Sequence, residues 1–212
     1  NTVLMAWLAP AVLLLIGLFK PGLLPGLAAL PGAAALLPPL LPLGASLFSI
    51  AGNTTALSLS MEGKSAWLMA ACPAPPRVIY LGKALASYAM CAPAAALTAL
   101  VLVWLLKPGP PAALSCLAFG QAVCALGAVI GLVIDVRFAR YDWDSEQQIV
   151  KSSVQTLLLM TAQFAVLLAF GAAAWLLRAL GGWTGLVLAL PAAGLAVLLW
   201  SRVNHRPIFI VP

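Results

Sequence analysis

MEGKSAWLMAACPAPPRVIYLGK, residues 61–83, is the stretch around which the rest of the chain is arranged. Charged side chains at both of its ends enclose an apolar run of seven residues, 66–72. Seven apolar residues are too few to cross a bilayer, because a spanning helix needs about 20. A short apolar helix between charges and prolines is typical of a membrane surface. The remaining chain is therefore predicted to form membrane spans around this surface element and a second charged stretch, 135–153.

The composition predicts an integral membrane protein with a single transmembrane domain, residues 1–212. Of the 212 residues, 64% are hydrophobic and 8% are charged, and the mean hydropathy is +1.09. A soluble domain carries about 25% charged residues, so this chain could not cover a water-facing surface. The net charge of +6 does not indicate nucleic acid as a partner, because the basic residues are scattered and not clustered. The first residue is Asn1, which is consistent with a fragment or a processed form.

Seven apolar segments are candidates for membrane spans. They cover residues 3–19, 22–41, 43–60, 84–106, 112–134, 154–177 and 183–200. The second segment forms either a broken span or a non-spanning hairpin, because four prolines interrupt it. The third segment carries Asn53, Thr54 and Thr55, which we expect to face other helices or water.

The basic residues predict the orientation of these spans. One side collects Lys64, Arg77, Lys83, Arg137, Arg140, Lys151, Arg202 and Arg206, and the opposite turns hold Lys107 and Arg178. The side with eight basic residues against two is predicted to be cytoplasmic, and it includes the C-terminus. If residues 22–41 span, Lys20 also lies in the cytoplasm, which favours seven spans over six. The predicted fold is an all-α, polytopic transmembrane helix bundle with six or seven spans and short cytoplasmic surface helices.

The second charged stretch contains alternating acidic residues at Asp142, Asp144 and Glu146, a pattern that suggests a metal site. A calcium loop would also need a glycine turn and a later bidentate glutamate, and both are missing. A helix start explains the stretch better, because Ser145 and Gln148 have the spacing of a capping box. The four cysteines show no Cys-x-x-Cys spacing and are expected to be buried hydrophobes. No metal site is predicted.

Isolated polar residues in or near the spans have structural interpretations. Asp135 ends an apolar span and is expected to reach lipid headgroups or to pair with Arg137. Gln121 and Gln163 are expected to form hydrogen bonds between helices. The single histidine, His205, has no partner at the spacing that metal binding or catalysis requires, so we expect it on the surface.

The chain contains no motif of a catalytic site. Residues 81–83, Leu-Gly-Lys, match the end of a phosphate-binding loop. That loop would need glycine at Arg77 and serine or threonine at Ala84. We therefore predict that the chain is not an enzyme, holds no cofactor and does not bind ATP by itself in that manner.

Two stretches carry motifs in a matching order. The first holds Glu62, Gly63, Lys64, Trp67, Pro73 and, further on, Lys83. The second holds Asp142, Trp143, Glu146 and Lys151. Between them, segments 84–106 and 112–134 are predicted to form an antiparallel hairpin, because the turn at residues 107–111 is short. Together with this hairpin, the two stretches resemble bacterial ABC-type exporter permeases of the type-2 integral membrane family over residues 43–160. The chain departs from the family at residues 139–140, where a proline is frequent, and in its shorter length, which would make it a C-terminal half or a short member.

The resemblance implies a transport function in the bacterial inner membrane. In such exporters a separate cytoplasmic subunit binds and hydrolyses ATP, and a short cytoplasmic helix of the permease receives its motion. Here that helix would be residues 62–72, delimited by Gly63 and Pro73, with Trp67, Leu68 and Met69 as its docking face. The resemblance also implies a second permease half or a homodimer, while the substrate stays open.

Two functions of other classes compete with this one. A proton-coupled secondary transporter would use Asp135 or Glu146 and would need no ATPase partner. A membrane scaffold that transports nothing is the other alternative.

Overall fold

The computed structural model describes residues 2–20, 22–30, 37, 39–46, 53–65, 67–139, 141 and 154–205, and every regular element in these ranges is helical. The α-helices are α1 (Thr2–Phe19), α2 (Leu23–Ala28), α3 (39–46), α4 (Trp67–Ala71), α5 (Pro76–Leu106), α6 (Pro110–Phe138), α7 (Val154–Leu176) and α8 (Thr184–Val203). Three stretches form 3₁₀ turns, namely Thr55–Leu57, Ser60–Ser65 and Arg178–Trp183. The all-α prediction is thus confirmed for the described residues.

Four helices in the described ranges are long and apolar enough to cross a membrane: α5, α6, α7, and α8 together with the 3₁₀ turn before it. Helix α5 begins at Pro76, whereas the sequence predicted a span from residue 84. The earlier start follows from Pro76 itself, because proline is favoured in the first helical turn. With 31 residues, α5 is about 46 Å long. Its first turns, which carry Arg77 and Lys83, therefore extend beyond a hydrocarbon core of about 30 Å.

Helix α6 forms the centre of the bundle and packs against α5, α7 and α8. Its buried side chains include Phe119, Leu126 and Leu132. Phe119 meets the Phe170 ring of α7 edge-on, with ring centroids 5.4 Å apart. Because side chains on several sides of α6 are buried, the other elements are positioned by their contacts with it.

The turn from α5 to α6 and the turn from α7 to α8 lie together at one end of the bundle, which we call the Lys107 end. The Ser115 hydroxyl near the start of α6 donates to the Gly182 carbonyl at 2.5 Å and accepts from the Leu186 amide at 3.2 Å. Lys107 ends α5 in the left-handed conformation, with φ 47°. This arrangement confirms the predicted antiparallel hairpin of α5 and α6. The opposite end of the bundle contains Asp135, and we call it the Asp135 end.

Residues 39–46 lie near the Lys107 end of α6, and residues 53–60 lie near its Asp135 end. Pro42 lies so close to Gly185 and Ser115 that a Cβ on Gly185 would be 2.6 Å from the Pro42 ring. Further along, Thr55 lies against Gly131, and the Leu59 amide reaches Asp135. The two described ends of residues 43–60, the predicted third span, thus lie at opposite ends of α6.

The described part of residues 43–60 is not one continuous α-helix, which departs from the prediction. It is α-helical up to residue 46, without regular secondary structure at 53–54 and in 3₁₀ or turn conformation from Thr55 onward. The Asn53 side chain accepts hydrogen bonds from the Thr55 amide (3.4 Å) and hydroxyl (2.8 Å). Such local side-chain bonds compete with helical hydrogen bonds, which explains the irregular backbone.

Helix α1 ends at the Lys107 end. A Cβ on Gly17 would lie 2.7 Å from the Leu105 side chain, and Lys20 follows three residues later. Leu37 lines a cavity at the same end together with Leu106 and Pro108. The 17 residues from Lys20 to Leu37 would cover about 25 Å as a helix, too little to cross a core of about 30 Å and return. The hairpin alternative for residues 22–41 accommodates this placement, and residues 31–36 and 38 of that segment lie outside the described residues.

We expect Gly131→Ala to destabilise the bundle by about 1–3 kcal/mol, because overpacking a tight contact forces backbone shifts. An added Cβ would lie 2.2 Å from the Thr55 hydroxyl and 2.9 Å from the Ala56 nitrogen. Gly194→Ala in α8 is the matched control, since its Cβ would meet nothing within 4 Å. Thermal unfolding in mild detergent measures both variants. Equal stability of the two would show that the Thr55 contact is not tight.

Candidate functional site

Asp135 is the centre of a buried polar cluster at its end of the bundle. It lies on α6, three residues before the helix ends, and its side chain is 0% exposed. The carboxylate accepts hydrogen bonds from the Leu59 amide (2.5 Å), the Ser60 hydroxyl (2.7 Å) and, more weakly, the Ser58 hydroxyl (3.4 Å). Three donors from one turn compensate for the burial of a charged group, which would otherwise be costly.

This position corrects the expectation that Asp135 reaches lipid headgroups or pairs with Arg137. The carboxylate turns into the bundle, toward residues 58–60. The physical reason is the irregular backbone of that turn, whose amides are not all used by helical hydrogen bonds and need acceptors. Sequence reasoning missed Ser58 and Ser60 as partners. The available signal was the acidic residue at the end of an apolar run, since buried acids in membrane segments pair with polar groups.

The same turn also contacts α7. The Gln155 side-chain amide of α7 donates to the Ser60 hydroxyl at 3.0 Å and to the Phe138 carbonyl at the end of α6. Gln155 is 3% exposed. Residues 58–60 are therefore bonded to two long helices through buried polar side chains, one on α6 and one on α7.

Leu59 anchors the turn by apolar contacts. Its side chain is buried in a cluster with Tyr80 and Ala84 of α5, Leu132 of α6 and Val203 of α8. Burying a leucine side chain contributes about 1.5–3 kcal/mol. The turn is thus held in place by the buried Leu59 side chain and by the hydrogen bonds to the Asp135 carboxylate.

Lys83 of α5 joins this cluster from the solvent side. Its ammonium donates to the Ser58 carbonyl at 2.5 Å and to the Glu62 carboxylate at 2.8 Å. The Lys83 side chain is 17% exposed and that of Glu62 41%. The structure therefore brings together Glu62 and Lys83, two residues of the first motif that are 21 positions apart.

Tyr141 lies near these charges. Burial raises the pKa of the Tyr141 phenol, and the carboxylates of Asp135 and Glu62 raise it further. The phenol therefore stays protonated at neutral pH and adds a polar, uncharged group to this end of the bundle.

The predicted surface helix, residues 62–72, consists of two shorter pieces. The 3₁₀ turn Ser60–Ser65 contains Gly63 in the left-handed region, with φ 50° and ψ −130°, and α4 follows. Glycine suits this position because other residues adopt such a φ only with strain. After α4 the chain bends through Pro73 to the start of α5. We call residues 60–71 the surface segment.

The apolar face predicted for docking is only partly available. Trp67 and Leu68 are 61% and 54% exposed. Met69 packs against the cluster around Leu59, so it belongs to the bundle and not to the exposed face. Lys64 lies in the 3₁₀ turn. The residues of the second motif, Asp142, Trp143, Glu146 and Lys151, lie outside the described residues.

A second polar cluster lies deeper in the bundle. The Ser87 hydroxyl of α5 donates to Asn53 at 2.8 Å and accepts from the Thr54 amide at 3.3 Å. These contacts confirm that the polar part of residues 43–60 faces other helices. A Cβ on Gly127 of α6 would lie 2.7 Å from the Asn53 amide nitrogen, so a glycine is needed for this approach.

The two glutamines inside the spans differ in their hydrogen bonds. Gln121 accepts from the Tyr88 hydroxyl at 2.8 Å and donates to the Ala92 carbonyl at 3.0 Å, which confirms a bond between α5 and α6. Gln163 is buried, but its amide nitrogen has no hydrogen-bond partner among the described residues. His205 is exposed, as predicted.

Comparison with known proteins gives no relative: no protein-family model, no curated protein and no solved structure matches this chain. Within the described residues, no three His, Cys, Asp or Glu side chains are grouped to hold a metal ion. The contacts of Asp135, Gln155 and Lys83 fix residues 58–60 to the long helices through a carboxylate, an amide and an ammonium group.

We expect Asp135→Ala to destabilise the protein by about 2–5 kcal/mol, because the Leu59 amide and the Ser60 hydroxyl lose their acceptor. Asp135→Asn should cost less, since its amide oxygen can still accept from Leu59. Glu62→Gln is the control and should cost at most about 1 kcal/mol, because the pair with Lys83 is partly exposed. Unfolding in detergent, followed by circular dichroism, compares them. A smaller loss for Asp135→Ala than for Glu62→Gln would contradict the anchoring role.

Proposed function

We propose that this chain is the membrane-spanning permease subunit of an ATP-driven exporter, and that its surface segment couples to a separate cytoplasmic ATPase subunit. The supporting observation is the anchoring of residues 58–60 to three long helices. Lys83 of α5, Asp135 of α6 and Gln155 of α7 each bond to this turn. A displacement of the surface segment would therefore act on all three helices.

The exposed pair Trp67 and Leu68 supports the same proposal. The two side chains lie on α4, immediately after the anchored turn and the Gly63 bend. Exposed tryptophan in a short, charge-flanked segment is typical of residues that dominate the binding energy of an interface. In the proposed complex these side chains insert into an apolar pocket of the ATPase subunit. A second permease half or a second copy of this chain completes the exporter.

We propose six spans for this subunit: α1, residues 39–60, and the four long helices α5 to α8. The surface segment and the C-terminal residues then lie on the cytoplasmic side of a bacterial inner membrane. Lys20 then lies with Lys107 and Arg178 on the opposite side, so that the cytoplasmic side holds eight basic residues and the opposite side holds three. This ratio still obeys the rule that cytoplasmic loops are richer in lysine and arginine.

A proton-coupled carrier is the second candidate, and the burial of Asp135 is the observation that favours it. Buried acids inside membrane proteins are often part of proton pathways. In this chain the carboxylate is bonded to a backbone amide and to hydroxyl groups of residues 58–60. A carrier of this class would transport along a pH gradient without an ATPase partner.

We expect Trp67→Ala to lower the amount of ATPase subunit that co-purifies with this chain by roughly tenfold, because a buried tryptophan at an interface contributes about 2 kcal/mol or more. Combining it with Glu62→Lys should abolish co-purification. The measurement is an affinity pull-down of the tagged chain from mild detergent, followed by an ATPase assay of the eluate.

Trp183→Ala is the matched control for this experiment. Trp183 is 56% exposed, close to the value for Trp67, but it lies at the Lys107 end. Its replacement should leave co-purification unchanged. Undiminished co-purification of the ATPase subunit with the Trp67→Ala variant would refute the docking site. The absence of any ATPase, together with transport driven by a pH gradient, would support the carrier.

The six-span topology makes a separate prediction. In a cysteine-free background, Lys20→Cys and Lys107→Cys should react with a membrane-impermeant maleimide from the same side. Arg202→Cys should react only from the other side, because it lies at the Asp135 end of α8. Labelling of Lys20→Cys together with Arg202→Cys would instead establish seven spans.

A further inference from the structure

A small cavity lies between the ends of α6 and α8 at the Asp135 end. It has a volume of about 160 Å³ and is lined by Val133, Val136 and Arg137 of α6 and by Leu199, Arg202 and Val203 of α8. Four of the six lining residues are apolar and two are arginines. The cavity therefore combines an apolar floor with two cationic side chains where both helices end.

The two arginines are available for an external anion. Both are exposed, and in the ranges that the structure describes neither has an ion pair with a carboxylate. Asp135 is close to Arg137 in sequence, but two positions along a helix rotate a side chain by about 200°. Its carboxylate is occupied by residues 58–60. The positive charge of the cavity is thus not neutralised by Asp135.

The position of the cavity selects the kind of anion. It opens at the end of two helices that are long and apolar enough to cross a membrane, so its mouth lies at the level of lipid headgroups. Basic pockets between membrane helices on the cytoplasmic side bind anionic headgroups. Arginine suits this role because its planar guanidinium forms two parallel hydrogen bonds with a phosphate.

We propose that this cavity binds an anionic phospholipid. Arg137 and Arg202 hold the headgroup phosphate from two sides, and the valine and leucine side chains contact the first carbons of the acyl chains. The lipid links α6 to α8 on the side of their seam away from Asp135. This proposal is independent of the ATPase partner and holds for any function of the membrane domain.

The test uses the full chain in nanodiscs that contain equal amounts of phosphatidylglycerol and phosphatidylcholine with identical acyl chains. Lipid that stays bound after transfer to mild detergent is counted by native mass spectrometry. We expect the wild type to retain phosphatidylglycerol about fivefold or more over phosphatidylcholine, since each basic residue contributes a several-fold preference. The double variant R137Q/R202Q should lower this ratio to about one.

Two controls make the result specific. R178Q removes a cation at the Lys107 end, where the guanidinium lies 4.8 Å from the Trp175 ring centre, and should keep the wild-type ratio. R137K/R202K keeps both positive charges and should keep most of the preference for phosphatidylglycerol over phosphatidylcholine. This variant keeps the proposal testable if R137Q/R202Q folds poorly.

Three outcomes would overturn the proposal. One is an unchanged lipid ratio in R137Q/R202Q, which would show that the two arginines do not bind the lipid. Another is an equal loss in R178Q, which would indicate a general effect of surface charge. The third is displacement of the lipid by millimolar inorganic phosphate, which would indicate a site for free anions.

Discussion

The hydrogen bonds between the Asp135 carboxylate and residues 58–60 are the constraint on which the Asp135 end of the molecule depends. A carboxylate buried among apolar helices is tolerated only when several donors surround it. The turn supplies these donors because its backbone is not α-helical. In return, the carboxylate fixes the turn in the orientation that buries Leu59 and directs Ser60 toward Gln155. Neither partner would be stable at this depth alone.

The irregular backbone of residues 53–60 requires a second condition, which α6 provides. Non-helical chain inside a membrane is tolerated only where protein groups bind its amides and carbonyls. Gly127 and Gly131 let this chain approach α6 closely enough for such bonds, since a Cβ at either position would overlap Asn53 or Thr55. Ser87 of α5 then completes the hydrogen bonds around Asn53. The two glycines and the buried Asp135 therefore serve the same purpose, which is to satisfy the hydrogen-bonding groups of this non-helical backbone.

The sequence predicted the features that depend on local composition. Long apolar runs predicted the long helices, and the turn after Lys107, which is rich in proline and glycine, predicted the antiparallel hairpin of α5 and α6. Features that depend on distant partners were not predictable. Asp135 and Ser60 are 75 positions apart, and no period or motif relates them. Met69 has the same apolar character as Leu68, yet only tertiary packing decides that Met69 is partly buried and Leu68 exposed. For the same reason the charge rule grouped Lys20 with the Asp135 end, whereas Gly17, three residues earlier, contacts α5 near the Lys107 end.

The anchoring also determines where the surface segment can bend. Residues 58–60 are bonded to α5, α6 and α7, so a force on α4 cannot be absorbed within that turn without breaking a buried hydrogen bond. Gly63 is the position between the turn and α4 whose conformation departs from a helix. In the proposed exporter, a load applied through Trp67 would therefore be either taken up by rotation at Gly63 or transmitted through the turn to the long helices. A residue with a Cβ at position 63 would restrict rotation there. Gly63 therefore permits bending of the surface segment, whereas the hydrogen bonds of the buried Asp135 resist displacement of the turn.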